Sequence, residues 1–552
     1  MTETMDKSYF EQRRMQLDSA YNAIKPDWQE LAEYYMPRSV RFLVQNVNKK
    51  LEKNKKIKDS APLKAVRNFS SGMMSGATNP ATNWFRLKIK NDYLRDDFAV
   101  RQWCGDVELI FKSVLNSSNI YKLLPSTYKQ LGVFGIAVIA LESDDNTVMN
   151  AKLLPIGSYR IAKNEKGEVD TICRVYMETA KNIYNRFGKD NVSNAVKTAI
   201  ENKQYEQMFE IVHFVCPNAD YLPNSPWAKN KKFISVYYET SSGEKDKFLS
   251  KSGFNKFPYV VFESEVNGED VYPSDCPGIN ALPDVKQLMA EVVDKGKTIK
   301  KVISPQMKGP ASLKNKKLSD NPATFTETNE NGEGLTPVAQ IPPQVLIPLK
   351  QDIDELRQSI FECFYNDLFA MILNTAERSR TATEVNELKE EKMVLLSPLL
   401  EQIHSALSIL FEWIFAECFE KKIIAPPPAQ IQGGELDIEF VSMLAQAQQG
   451  QKISAMERFT TFTANLAQVT QDSVLIKKLN AEKIIDDYAD FVNINPNQLN
   501  SNDELKKFRK LQAQKQAQME QMQQLQQGSE LIKNMGGADA FGGELMSRIG
   551  LN

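Results

Sequence analysis

The stretch LPDVKQLMAEVVDKGKTIKKVI, residues 282–303, has the apolar spacing of one long helix. It runs into a segment rich in proline, glycine, asparagine and lysine that extends to about residue 345. Helical periodicity then returns, because apolar residues recur at spacings of three and four from Ile353 to Ile372. The sequence therefore predicts two long helices that flank a compact insertion. Two interpretations of the insertion stay open, a disordered loop and a small ordered β-rich tip.

Beyond the second helix, a polar loop at 374–380 precedes a new helix. Thr381 and Glu384 form a Thr-x-x-Glu capping box, which marks a helix start. Pro398 should kink this helix, because proline lacks a backbone donor and crowds the preceding turn. The triple proline at 426–428 ends it.

The remaining parts of the chain predict an α+β fold that is mainly helical. A helix over 5–36 should be broken at Pro26, with Asp27 capping its continuation. The other predicted elements are a helix at 61–78, a strand at 84–90, a helix at 96–116, a buried strand or hairpin arm at 131–141, short alternating strands within 148–180 and 205–265, a strand followed by a turn into helix at 434–450, several short helices over 456–491, and a glutamine-rich helix in the last fifty residues.

Composition excludes several classes of protein. The net charge of −2 over 552 residues argues against a general nucleic-acid binder, which usually carries excess lysine and arginine. The low net charge does not exclude a protein along which DNA moves without binding tightly. No run reaches the ~18 apolar residues that a membrane helix needs, and the N-terminus has no apolar signal core, so we expect no membrane span and no secretion.

Catalytic and metal-binding motifs are not evident. The six cysteines form no Cys-x-x-Cys pair, which argues against zinc and thioredoxin chemistry and favours free thiols in a reducing cytoplasm. His213 and His404 are the only histidines, and both fit ordinary packing or surface positions. Acidic residues at 143–145 and 352–356 have no partnered lysine, histidine or glycine loop. A carboxylate-dependent nucleotide-processing enzyme stays as an alternative without a motif to support it.

The segment SSGMMSGATNPATNWF, residues 70–85, has two glycines four residues apart. A P-loop needs Gly-Lys-Ser/Thr at its end, whereas Gly76 is followed by Ala77 and Thr78. We therefore predict a helix with Gly72 and Gly76 on one closely packed face. It should stop at Asn79-Pro80, because the residue before proline is pushed out of the helical region.

Two longer motifs show a resemblance to a known family. FSSGMMSGATNPATNWFRL at 69–87 and RTATEVNELKEEKMVLLSPLLEQI at 380–403 resemble portal proteins, the head-to-tail connecting proteins of short-tailed bacteriophages. The order of parts over about residues 5–500 is also similar. The resemblance implies a portal-type protomer with a wing at 1–281, stem helices at 282–300 and 346–373, a clip at 301–345, a channel loop at 374–381, a kinked wing helix at 382–430, a crown at 431–500 and a C-terminal helical barrel or tail at 501–552.

The resemblance also implies a function and partners. Portal proteins form a dodecameric ring at one capsid vertex of the virion, after assembly in the host cytoplasm. Double-stranded DNA enters and leaves through the axial channel. The implied partners are further copies of the chain, the terminase large subunit, the major capsid and scaffolding proteins, and tail adaptor proteins. No cofactor, metal or catalytic residue is expected. A coiled-coil scaffold or adaptor without a channel is the alternative from another class.

Five basic residues are candidates for transient contact with DNA phosphates in such a channel. Each contact would add attraction that depends on salt and not on base sequence. The alternative role is an ion pair between subunits, for instance with Glu377 or Asp352. The candidates are Arg378, Arg380, Lys297, Lys300 and Lys301.

Overall fold

A computed structural model describes seventeen stretches of the chain. They are residues 6–42, 55–89, 98–223, 227, 230–240, 247–265, 270–309, 336–338, 342–373, 382–431, 436–441, 443–470, 479–481, 483–485, 488, 505–519 and 522. The chain divides into two compact units, one made of Met1–Lys90, Gly105–Pro427 and Glu435–Ala455 and the other of Asn91–Cys104, Pro428–Gly434 and Met456–Asn552.

Helices make up most of the described structure, as predicted. They are α1 (Lys7–Tyr35), α2 (Ala61–Gly76), α3 (Phe98–Ser117), α4 (Ile120–Phe134), α5 (Ala180–Phe187), α6 (Asn194–Glu201), α7 (Pro277–Asn280), α8 (Leu282–Ile303), α9 (Leu346–Cys363), α10 (Asn366–Leu373), α11 (Ala382–Glu420) and α12 (Met443–Val469). Residues 505–519 of the second unit are also helical.

The strands are short and pair antiparallel wherever their pairing is described. They are β1 (Phe85–Ile89), β2 (Ile136–Asp144), β3 (Val148–Leu153), β4 (Tyr159–Lys163), β5 (Val169–Thr179), β6 (Met208–Pro217), β7 (Phe233–Glu239), β8 (Ser250–Phe254), β9 (Tyr259–Glu263), β10 (Met307–Lys308), β11 (Thr336–Pro337) and β12 (Leu436–Phe440). Their sheets have the orders β3-β2-β9, β4-β5-β6-β7-β8, β1-β12 and β10-β11. The α+β class is confirmed.

The five-stranded sheet is covered on both faces. Phe10 and Leu17 of α1 pack on one face against Phe214 and other alternate residues of the central strands. On the other face, Ile183 of α5 and Val196 of α6 form a second buried cluster. Because side chains alternate across a strand, one sheet supplies both cores.

The predicted break at Pro26 is wrong. Helix α1 is continuous from Lys7 to Tyr35, and its N-cap is Asp6, whose carboxylate accepts from the backbone nitrogen of Tyr9 at 2.8 Å. Pro26 is exposed, while Tyr21 and Trp28 on either side are buried. An interior proline costs about 3 kcal/mol, but burying two aromatic side chains offsets that cost.

The apolar stretch at 131–141 is only partly a strand. Its first residues complete α4, and β2 begins at Ile136. Between them Gly135 adopts φ 74°, and its backbone nitrogen donates to the carbonyl of Leu131 at 3.0 Å. This is the left-handed helix cap that glycine accepts without steric cost.

The helix predicted at 346–373 is interrupted. Helix α9 ends at Cys363 and α10 begins at Asn366, with Tyr365 at φ 56° between them. The ring of Phe364 lies 6.2 Å and that of Phe369 6.1 Å from the ring of Phe69. In a continuous helix, residues five apart point about 140° away from each other. The interruption therefore allows both rings to contact Phe69.

Three predictions on the C-terminal part have different outcomes. Helix α11 begins at Ala382, directly after Thr381, which agrees with the predicted start. Pro398 lies inside it, and the kink there stays a prediction. The several short helices expected from Met456 onward are wrong up to Val469, because α12 is one helix of 27 residues. Residues 471–478 and 491–504 lie outside the described ranges.

One part of α11 is longer and more apolar than expected from the sequence. Among the described helices, Leu395–Glu420 alone is long and apolar enough to cross a membrane, by length and composition. Leu400, Ile403 and Leu407 are fully buried. A helix in a protein core has the same composition, so these properties do not establish a membrane span.

Candidate functional site

Helices α8 and α9 pack side by side as an antiparallel pair. Near the end of α9, the hydroxyl of Ser359 donates to the carboxylate of Asp284 at the start of α8, at 2.6 Å. Leu288 from α8 and Ile353 and Ile360 from α9 are fully buried. The two long helices predicted around an insertion are confirmed as elements. Of the insertion, β10 and β11 pair through Met307 with Pro337 and Lys308 with Thr336, and residues 310–335 lie outside the described ranges.

Three of the candidate DNA contacts lie in the last two turns of α8. Lys297, Lys300 and Lys301 are all exposed. The ammonium of Lys297 donates to the carboxylate of Asp294, one turn earlier, at 2.8 Å. Lys300 and Lys301 lie in the last turn, where positive charge stabilises the carbonyl end of a helix. The structure thus places three cations on one end of α8.

The other candidate residues lie outside the described part of the chain. This holds for Arg378, Arg380 and Glu377. Thr381 is also undescribed, and so is the side chain of Glu384. The channel loop and its arginines therefore stay predictions.

The glycine segment of α2 is a packing site for an aromatic ring. A Cβ atom at Gly72 would lie 2.2 Å from Cγ of Phe369, closer than any real contact. The helix ends at Gly76, before Asn79 and Pro80, as predicted. The ring of Phe369 fills the space beside Gly72, so close packing is confirmed there.

The aromatic cluster on which this packing depends was not predicted from the sequence. The ring of Phe364 also lies 5.8 Å from that of Tyr35, and Phe364, Phe69 and Tyr35 are all buried. A signal was present in the sequence, because Phe364 and Phe369 cannot share one face of a helix. Two bulky apolar residues on different faces indicated a change of direction between them.

Both histidines are packing residues, as expected. His213 is hydrogen-bonded to Ser235 through Nε2 at 3.0 Å and to Tyr259 through Nδ1 at 2.9 Å. Burial, followed by Arg174 and Arg186, holds its pKa well below the ordinary 6.5. The ring of His404 stacks 4.2 Å from that of Phe440, and burial lowers its pKa to about 4.

The cysteines and acids form no catalytic arrangement in the described residues. All six cysteines are free, and burial raises the pKa of Cys173, Cys216 and Cys276 to about 12, which makes them inert. Asp144 accepts hydrogen bonds from the backbone and hydroxyl of Thr147, each at 2.8 Å, as expected in a turn. Within the ranges that the structure covers, no group of three metal-ligating side chains occurs.

Comparison with protein families identifies the chain. The model of the bacteriophage head-to-tail connecting proteins matches residues 7–499, which is most of the chain. The chain belongs to this family. Proteins of this family connect the head of a phage to its tail, which is a structural task.

Two relatives support the portal class within this family. The portal protein of Salmonella phage epsilon15 is 36% identical over 521 residues, which cover 94% of this chain and 93% of that protein. The probable portal protein of Bordetella phage BPP-1 is 32% identical over 542 residues, covering 98% and 97%. The prediction of a portal-type connecting protein is confirmed.

Solved structures of gene transfer agent particles are similar at a lower level. A chain in the neck of an empty particle is 10% identical, with a TM-score of 0.35 and coverage of 73% of this chain and 87% of that chain. A chain in the native virion is 11% identical, with a TM-score of 0.32 and coverage of 71% and 94%. TM-scores this low do not establish a shared fold, so the identification depends on the sequence relatives.

Proposed function

We propose that twelve copies of this chain form a closed ring at one vertex of a phage capsid, and that double-stranded DNA enters and leaves through its axial channel. The family match over residues 7–499 is the observation that carries this proposal. A closed ring requires that two different faces of one subunit be complementary, because its contacts are heterologous.

The parts of the chain take the following roles in this proposal. The stem consists of 282–300, which lies in α8, and 346–373, which comprises α9 and α10, and the clip is at 301–345. The remaining assignments are a wing at 1–281, a channel loop at 374–381, a kinked wing helix at 382–430, a crown at 431–500 and a barrel or tail at 501–552. The antiparallel packing of α8 on α9 supports the stem assignment, because it sends the intervening residues to one end of the pair.

The proposed partners follow from the same role. The terminase large subunit docks on the clip during packaging, and tail adaptor proteins replace it afterwards. The major capsid and scaffolding proteins surround the ring as it assembles in the host cytoplasm. We assign no catalytic activity to the chain, since the motor supplies the ATP hydrolysis.

The basic residues contact DNA only transiently in this proposal. Lys300 and Lys301, which are exposed at the end of α8, and Arg378 and Arg380 in the channel loop meet passing phosphates. The net charge of −2 supports weak attraction overall, which lets DNA slide. Lys297 contributes less, because its ammonium is already paired with the carboxylate of Asp294.

Electron microscopy of the purified full-length protein tests the proposal. We expect rings with a central hole, and a mass near twelve copies by mass photometry. Rods or compact particles without a hole would instead support a scaffold or adaptor. Monomers or dimers at every salt concentration would refute the ring. Turnover of ATP that is lost on mutating this chain would refute the absence of catalysis.

A further inference from the structure

The junction between α9 and α10 combines two unfavourable features. Tyr365 has φ 56°, in the left-handed region that a residue with a bulky side chain rarely occupies. The next residue, Asn366, is 9% exposed, and neither atom of its amide has a hydrogen-bond partner among the described residues. A buried polar group without a partner destabilises the conformation that buries it. Such strain persists only where the surrounding structure holds it in place.

The contacts of Phe369 with α2 hold this conformation in place. The ring of Phe369 occupies the space that a side chain at Gly72 would take, with Cγ 2.2 Å from the ideal Cβ position. The same ring lies 6.1 Å from that of Phe69. The docked position of α10 therefore depends on the missing side chain of Gly72.

A second conformation removes both unfavourable features. If Tyr365 returns to right-handed backbone angles, α9 and α10 form one helix. In that helix Asn366 lies about 120° around the axis from Ile360, away from the buried stripe of α9. Phe369 lies about 180° from Ile360 and loses its contact with Phe69. The docked state thus keeps the contact of Phe369 with Phe69. The continuous helix instead relieves the backbone of Tyr365 and removes the amide of Asn366 from the buried stripe.

We propose that Tyr365 and Asn366 form a hinge, at which α10 switches between a docked state against Gly72 of α2 and a state continuous with α9. The aromatic contacts of Phe369 favour the docked state, whereas the backbone of Tyr365 and the amide of Asn366 oppose it. Because the opposing contributions are local, small changes at either residue shift the population. This switch goes beyond the ring proposal and does not depend on it.

Hydroxyl-radical footprinting of the full-length protein tests the hinge, because the side chain of Phe369 is buried in the docked state and loses its contact with Phe69 in the continuous helix. Asn366→Leu removes the unpartnered amide at similar volume, and Tyr365→Gly removes the left-handed strain while disfavouring the continuous helix. We expect both variants to lower the oxidation rate of Phe369 by roughly tenfold, with the rate at buried Phe214 unchanged. An equal or higher oxidation rate of Phe369 in either variant overturns the proposal.

Two glycine variants complete the test. Gly72→Ala meets the ring of Phe369, so we expect the oxidation rate of Phe369 to rise by roughly tenfold or more. Gly296→Ala is the matched control, because no atom lies within 4 Å of its ideal Cβ position and the oxidation rate of Phe369 should stay unchanged. An unchanged oxidation rate of Phe369 in Gly72→Ala, or a rise that extends equally to buried Phe214, overturns the hinge.

Discussion

The hydroxyl of Tyr259 is hydrogen-bonded to Nδ1 of His213 at 2.9 Å, which joins β9 of the three-stranded sheet to β6 of the five-stranded sheet. The other ring nitrogen of His213 is bonded to Ser235 on the neighbouring strand β7. A neutral imidazole has one donor and one acceptor, and both are used here. These buried hydrogen bonds fix the position of the three-stranded sheet relative to the five-stranded sheet.

We expect His213→Phe to lower the free energy of unfolding by about 2–4 kcal/mol, because Ser235 and Tyr259 would each lose a buried partner. Tyr259→Phe removes one of these bonds and should cost about 1–2 kcal/mol. Chemical denaturation of both single variants and of the double variant measures the coupling. Additive costs would contradict a shared network.

His404→Phe should change the pH dependence of stability. Nε2 of His404 is buried without a hydrogen-bond partner in the described residues, so phenylalanine removes a cost and keeps the stacking on Phe440. The folded-state pKa of His404 is about 4, below the ordinary 6.5. The unfolded chain therefore binds a proton first, and stability is retained above pH 6.5 and lost as the pH falls towards 4.

At pH 4, the free energy of unfolding is lower than at neutral pH by about 3 kcal/mol because of His404. Thermal unfolding from pH 7 to pH 4 should show that the wild type loses more stability than His404→Phe over this window. His213 titrates in both proteins, so the difference between them isolates His404. Parallel pH profiles would rule out the assigned environment of His404.

Arg357 of α9 supports the start of α2 through Asp59. Its guanidinium donates to the carboxylate of Asp59 at 2.6 Å, and the other carboxylate oxygen of Asp59 accepts from the backbone nitrogen of Ala61 at 2.7 Å. Burial opposes ionisation of Asp59, but the hydrogen bond from Arg357 brings its pKa below the usual value. We expect Arg357→Ala to cost about 1–2 kcal/mol of unfolding free energy at pH 7.

The cost of Arg357→Ala should become smaller in acid. The stabilisation by Asp59 is fully present above its unfolded pKa of about 4 and is lost as the pH falls through the lower folded value. Urea titrations at pH 7 and pH 3 measure this change. Arg357→Lys is the control, which keeps the charge and loses the planar fork. A cost that is the same at both pH values would exclude an ionic origin.

Gly278 and Gly296 should respond oppositely to alanine. A Cβ atom at Gly278 would lie 2.5 Å from the backbone oxygen of Val133, and the backbone cannot move aside as a side chain can. We expect Gly278→Ala to destabilise by about 1–3 kcal/mol. Gly296→Ala, in an open position within α8, should stabilise by about 0.5–1 kcal/mol. Thermal unfolding of both variants measures these changes in stability. Destabilisation by Gly296→Ala would mean that another surface covers this position.

The channel contacts are tested by genome content. Arg378→Ala with Arg380→Ala, and separately Lys300→Gln with Lys301→Gln, should leave rings intact but alter the amount of DNA that particles package or retain. Lys152→Gln is the matched control, because Lys152 lies in β3, is not among the proposed channel residues, and is paired with Glu142 at 2.7 Å. Normal DNA content in both double variants would contradict the proposed contacts with DNA. Broken rings would instead indicate that these residues form ion pairs between subunits.

Patterns within a short stretch of sequence predicted most individual elements. Periodic apolar residues indicated α8, α9 and the alternating strands, and Asn79-Pro80 indicated where α2 ends. These predictions succeeded because spacing and backbone chemistry act over a few residues. The family also follows from sequence, since the two quoted motifs and the match over residues 7–499 agree.

Only the tertiary structure decided the outcomes that depend on residues far apart in the chain. Helix α1 continues through Pro26 because Tyr21 and Trp28 are buried together. The helix predicted at 346–373 divides at Tyr365 because Phe364 and Phe369 both reach Phe69, about 300 residues away. In both places burial of aromatic surface outweighs a local backbone cost of a few kcal/mol. Local sequence determines which backbone conformations have a low free energy. Tertiary packing determines which conformations of higher local free energy the folded protein retains.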